Sequence, residues 1–165
     1  MPYLIRILVM AVACCFFCLA LSGQGRKAIK KLRIQTISET NQEPGTSGEI
    51  QYKVADEKFN RAGYLVERIN YSKSGAVERR TTYSHNAWGM VDEESEYRQD
   101  GSLKTRTTYE YNTVGEKTLE FKYDEKNMLV KKHVYSYNNH GLKTERKTFD
   151  STAKLVFVKK YTYTK

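Results

Sequence analysis

Turn signals recur in this chain at a spacing that leaves few folds open. Gly63, Gly75, Gly89, Gly101, Gly115 and Gly141, with Asn127 and Ala153 in step, stand alternately twelve and fourteen positions apart, so the true period spans two turns. Eight positions after each marker stands an aromatic: Tyr71, Tyr83, Tyr97, Tyr109, Tyr123, Tyr135, Phe149 and Tyr161. In a chain that is 12% aromatic, eight coincidences in eight positions require a repeated structural unit. Three positions before each marker lies Asn60, Ser72, Asn86, Arg98, Asn112, Asp124, Asn138 or Asp150. Asn, Asp and Ser side chains accept from nearby backbone N–H groups and start type I turns. The marker then needs a positive φ, which glycine adopts freely. Together these residues spell a three-residue hairpin loop closed by a glycine bulge.

The expected fold class is all-β: an antiparallel meander of repeated hairpins with a 26-residue period and two strands per repeat. In each hairpin the residue before the turn faces the residue two past the marker: Tyr71 with Val77, Tyr97 with Leu103, Tyr123 with Leu129, Phe149 with Leu155, and Tyr111 with Lys117. Carried along the chain, this pairing sets odd-numbered residues, ten of the 13 tyrosines included, on one packed face and leaves even-numbered charged residues on a wet face. Strand segments of alternating length slip in one direction, which implies tilt and a sheet curled into an open or closed barrel-like form. Residues 49–59 read as the strand before the first marker, 32–40 as another, and Asn41 to Gly48 as a loop containing Pro44. Nine or ten strands are expected.

Residues 4–21 are apolar except for Arg6 and are followed by small residues, so residues 1–22 read as a secretory signal peptide. A membrane anchor through residues 4–21, a lipoprotein acylated at Cys14 and a core helix are the alternatives. Arg26, Lys27, Lys30, Lys31 and Arg33 follow immediately, and such charges resist export. The division is then 1–22 signal peptide, 23–48 basic segment and loop, and 49–165 β-repeat domain. Cys14, Cys15 and Cys18 all fall in the first segment, so a chain cleaved near Ser22 forms no disulfide and no thiolate metal site. The expected location is secreted, periplasmic or cell-surface.

The formal charge is +9 and the sequence pI about 9.4, which favours polyanionic partners: polysaccharide, an anionic envelope polymer, anionic lipid or nucleic acid. Export and interspersed acids argue against nucleic acid, and membrane contact is expected only through the N-terminal segment. No P-loop, G-x-G-x-x-G, G-x-S-x-G or H-E-x-x-H pattern occurs, so neither cofactor, metal site nor catalytic set is expected. His85 and His140 sit at turns, and His133 falls mid-strand. The middle of the odd face is polar, which suggests a groove where Tyr83, Tyr97, Tyr109 and Tyr135 stack on sugars beside Glu67, Arg79, Glu93 and His133. Glu67 and Glu93 could supply a glycosidase pair, so a glycan-acting hydrolase is the alternative to a non-catalytic binding or scaffold role.

The stretches "YEYNTVG" (109–115) and "YSYNNHG" (135–141), with "YSHNAWG" (83–89) as a looser copy, resemble the YD (RHS-type) repeats, written Y-x-Y-D-x-x-G. The likeness recurs from about residue 57 to 165. It implies β-sheet shells, secretion or surface display, and roles in carbohydrate binding or toxin delivery. Asn replaces the family's Asp, and the alternating spacing is longer than the usual repeat. The resemblance therefore implies a small divergent bacterial envelope member rather than a toxin-enclosing shell. Punctuation by Tyr and Gly is also similar to that of MORN-type proteins.

Overall fold

A computed structural model describes residues 24–45 and 48–164. The proposed signal segment and its cysteines lie outside them. Helix α1 (Gln24–Leu32) precedes ten strands: β1 (Thr36–Gly45), β2 (Gly48–Phe59), β3 (Leu65–Tyr71), β4 (Val77–His85), β5 (Val91–Tyr97), β6 (Leu103–Tyr111), β7 (Lys117–Asp124), β8 (Leu129–Tyr137), β9 (Lys143–Asp150) and β10 (Leu155–Lys160). They form one antiparallel meander in chain order. Among the described residues β1 and β10 are unpaired edges, so the sheet is curled but not closed.

The turn chemistry holds at every marker. All eight have positive φ, Asn127 (60°) and Ala153 (63°) included. In each turn the marker's N–H donates to the carbonyl three positions earlier, as Gly115 does to Asn112 at 3.0 Å. Asn60, Asn86, Asn112 and Asn138 accept two further N–H bonds each on their side-chain oxygens. The expected partners stand opposite one another: Tyr71 and Val77, Tyr97 and Leu103, Tyr111 and Lys117, Tyr123 and Leu129, Phe149 and Leu155.

The expected face assignment fails one step further along. A second irregularity follows every turn: Tyr71 faces Val77, but Asn70 faces Arg79, leaving Glu78 as an extra residue. The same slip occurs at Val66, Asp92, Lys104, Thr118, Val130, Thr144 and Val156. An extra residue inverts side-chain alternation beyond it. Odd and even numbers therefore exchange faces at each turn. Face I carries Glu67, Ile69, Tyr71, Arg80, Glu93, Tyr97, Arg106, Phe121, Tyr123 and Phe149. Face II carries Glu57, Arg68, Arg79, Thr81, Tyr83, Glu94, Tyr109, Tyr111, Glu120, His133, Tyr135, Tyr137 and Arg146. The tyrosines are shared between faces. Those of face I lie at one end of the strands, those of face II at the other.

Neither face is a packed core. Only Ile29, Ala55 and Tyr135 are buried hydrophobics among the described residues, while Glu57, Glu67, Thr81, Ser95 and Thr148 are buried polar groups. Ladder hydrogen bonds, ion pairs and ring–cation contacts therefore hold a single-layer sheet in place of the packed and wet sides expected from the sequence.

Two N-terminal expectations also change. The basic segment begins as a helix, whose Ala28, Ile29 and Leu32 follow helical spacing. It packs on the β2–β3 turn, where a Cβ on Gly63 would lie 2.8 Å from the Arg26 carbonyl. Residues 41–45, expected in a loop, continue β1, and Pro44 is tolerated because β1 is an edge.

Candidate functional site

The Y-x-Y tripeptides of face II do two jobs that recur with each repeat. The second tyrosine caps the preceding repeat: the hydroxyls of Tyr111, Tyr137 and Tyr163 donate to the carbonyls of Val91 (2.6 Å), Lys117 (2.9 Å) and Lys143 (2.7 Å). Those carbonyls sit beside the irregularity, where the strand ladder is interrupted. His85, in the same place one repeat earlier, instead stacks on Tyr64 with ring centres 4.8 Å apart.

The first tyrosine meets a carboxylate. Tyr109 donates to Glu94 at 3.2 Å and Tyr135 to Glu120 at 2.8 Å. Burial, with the nearby carboxylates, pushes both phenols well up, so they remain proton donors. Lysines alternate with the rings. Lys117 Nζ lies 4.6 Å from the Tyr109 ring centre and 5.0 Å from that of Tyr135. Lys143 Nζ lies 4.6 Å from Tyr135 and 5.9 Å from Tyr161, and Lys159 lies 5.3 Å from Tyr161. The result is a ladder, Tyr109–Lys117–Tyr135–Lys143–Tyr161–Lys159, in which each ammonium borrows a ring face. Sequence reasoning missed these lysines, although Lys117 and Lys143 both stand two positions past a marker glycine and one full repeat apart.

The expected site residues divide between the faces. Tyr83, Arg79, Tyr109, His133 and Tyr135 share face II, whereas Tyr97, Glu67 and Glu93 lie on face I. Tyr83 stands opposite Glu94. Arg79 lines an open depression of ≈ 400 Å³ with Asn70, Glu78, Glu96 and Lys104. His133 Nδ1 and Thr148 Oγ1 are 2.8 Å apart. Burial, helped by Arg146, Lys131 and Lys117 against the pull of Glu120, lowers its pKa and keeps the ring neutral near pH 7. On face I, Tyr97 lies beneath Arg80 at 5.0 Å.

The two carboxylates that could have formed a glycosidase pair are each held by cations. Glu67 pairs with Lys58 and Arg80, both at 2.5 Å, and Glu93 with Arg106 at 3.0 Å. Burial opposes ionisation of Glu67, but these two partners outweigh it and leave its pKa below the usual value. Glu120 is likewise lowered, with Lys117 at 2.8 Å overcoming burial. Among the described residues no three His, Cys, Asp or Glu side chains come together as a metal cluster, and no helix is long and apolar enough to cross a membrane.

No protein-family model matches the sequence, and no curated protein matches it significantly. Among solved structures, the chain is similar to a protein of unknown function from Bacteroides fragilis NCTC 9343, at 15% identity and a TM-score of 0.41, covering 79% of this chain and 93% of the other. It is also similar to TarM (20% identity, 79% of this chain, 22% of that one, TM-score 0.32). A third likeness is to the Photorhabdus luminescens Tc holotoxin pore (13% identity, 73% of this chain, 9% of that one, TM-score 0.27). The chain thus spans nearly all of the first protein and under a quarter of the other two.

Proposed function

We propose that this β-repeat protein is a non-catalytic binding or scaffold protein of the bacterial envelope or exterior, and that face II takes an anionic polysaccharide. The Tyr109-to-Lys159 ladder carries this reading. Its rings offer apolar faces for sugar stacking, and its lysines, of which Lys117 and Lys143 stand one repeat apart, offer charge between them, so a polymer gains contacts unit by unit. The net charge of +9 acts in the same direction. Cation pairing of Glu67, Glu93 and Glu120 favours binding over glycan hydrolysis, which needs one carboxyl group kept protonated.

The test is equilibrium binding of the chain to a polyuronate, a sulfated polysaccharide and a neutral glucan. Saturable binding to one or both acidic polymers, weakened at least fivefold by Lys117→Gln and by raised salt, supports the reading. Equal affinity for the neutral glucan, or no binding to any of the three, overturns it. Mass spectrometry of the mature N-terminus with cell fractionation tests the exported location.

A further inference from the structure

One position in the repeat changes sign along the sheet. Five positions past alternate markers stand Arg68, Glu94, Glu120 and Arg146. Arg68 has two carboxylates from the preceding strands, Glu39 at 3.1 Å and Glu57. Glu94 and Glu120 accept from Tyr109 and Tyr135. Arg146 has neither arrangement. It stands opposite Tyr135 on one side and Lys159 on the other, so the repeat position that carries the Glu120 carboxylate carries a cation here. Its Nε is buried and meets no acceptor among the described residues. A buried donor left without an acceptor costs about 1–3 kcal/mol. Lys143 and Lys159 flank it, and none of the three forms an ion pair among the described residues, whose pairs all lie elsewhere. The nearest acid of the ladder, Glu120, is already engaged by Lys117 and Tyr135.

We propose that Lys143, Arg146 and Lys159, the two lysines set against the Tyr161 ring, form a seat for a tetrahedral oxyanion, a sulfate or phosphate ester group. Resting on the reading of face II above, its carrier is the anionic polysaccharide. The anion's oxygens take the place that the Glu120 carboxylate fills one repeat earlier. A carboxylate's two oxygens are used up by one guanidinium fork, whereas three uncompensated cations suit a more highly charged group with an oxygen for each. The same arrangement acts on Lys143: burial first, then Lys117, Arg146 and Lys159, lower its pKa against the pull of Glu120.

The test is titration of the full chain with inorganic sulfate, phosphate and acetate at constant ionic strength, followed on the Arg146 Nε–Hε NMR signal. Saturable shifts with sulfate and phosphate, at least tenfold weaker with acetate, support the seat. Arg146→Glu restores the residue type of the two preceding repeats, so the sheet should persist, checked by the Tyr137 and Tyr163 hydroxyl protons, while sulfate binding is lost. No saturable shift, equal binding of acetate, or unchanged sulfate affinity in Arg146→Glu overturns the proposal. Inorganic sulfate binding without affinity for any polysaccharide leaves the seat and removes the polymer. Preference for single-stranded DNA over sulfated polysaccharide would likewise replace the carrier while retaining the seat.

Discussion

Gly89 and Gly101 present a matched pair for measuring how the turns lean on one another. Both are turn markers with nearly equal φ, +79° and +83°. Replacing either by Ala puts a Cβ in the left-handed region at a cost of roughly 1–2 kcal/mol. Restriction of the unfolded chain returns about 0.4–1 kcal/mol, so an isolated turn should lose about 1 kcal/mol. At Gly101 nothing lies within 4 Å of the new atom. At Gly89 the new Cβ falls on the hydroxyl end of Tyr64. Tyr64 cannot move cheaply, because Arg26 donates to its hydroxyl and lies over its ring at 4.6 Å, and His85 stacks on it. Displacing it forfeits a hydrogen bond worth about 1 kcal/mol and a ring–cation contact worth about 0.5–1 kcal/mol. Gly89→Ala should therefore destabilise by roughly 1.5–2 kcal/mol more than Gly101→Ala, measured by urea unfolding with amide exchange on α1 as a local readout. The same contact predicts that α1 loses exchange protection in Gly89→Ala only. Equal losses in the two variants, with α1 unaffected, would refute the idea that successive turns brace each other and the helix.

Two further outcomes follow from the side-chain network. Tyr137→Phe strands the Lys117 carbonyl and should cost about 1 kcal/mol, whereas Tyr97→Phe, whose ring serves only as a platform for Arg80, should be nearly silent; thermal unfolding of both variants checks the contrast. Lys53 and Ser38 hold Asp56 down to about 2 from its usual 3.8, and Glu67 is lowered as well, so the unfolded chain binds more protons in acid. Stability should then be whole above about pH 4.5 and fall as pH drops toward 2, and Asp56→Asn should flatten that fall in urea midpoints measured across the range.

The turns were legible in the sequence because each depends on a residue type with a distinct backbone preference. Gly supplies positive φ, and Asn or Asp accepts the loop's N–H groups, so markers and first residues name themselves. The second irregularity was not legible. Its positions hold Val66, Glu78, Asp92, Lys104, Thr118, Val130, Thr144 and Val156, with no shared chemistry, because a slip in the main-chain ladder needs no particular side chain. That one residue per turn was enough to move Tyr97, Glu67 and Glu93 to the opposite side from Tyr83, Tyr109 and Tyr135. Residues 24–32 were hidden differently: their basic residues read as a charged segment, and of the apolar residues among them only Ile29 is buried, while Ala28 and Leu32 stay exposed, so a single side chain carries the docking signal. The lysine ladder was available from the repeat register, but only to a reading that indexed charges as well as aromatics.

The inversion at every turn also limits how such a chain can change in length. Inserting or removing a single hairpin arm would reverse the direction of every later strand. Each Tyr-x-Tyr beyond that point would then arrive at the opposite margin together with the lysine of its own hairpin, out of line with the row before it. Two arms together cancel both reversals. Growth or shrinkage by whole two-arm repeats is thus the only kind that preserves a continuous row of rings, and any lengthened variant should add Tyr, Lys and marker glycine as one block.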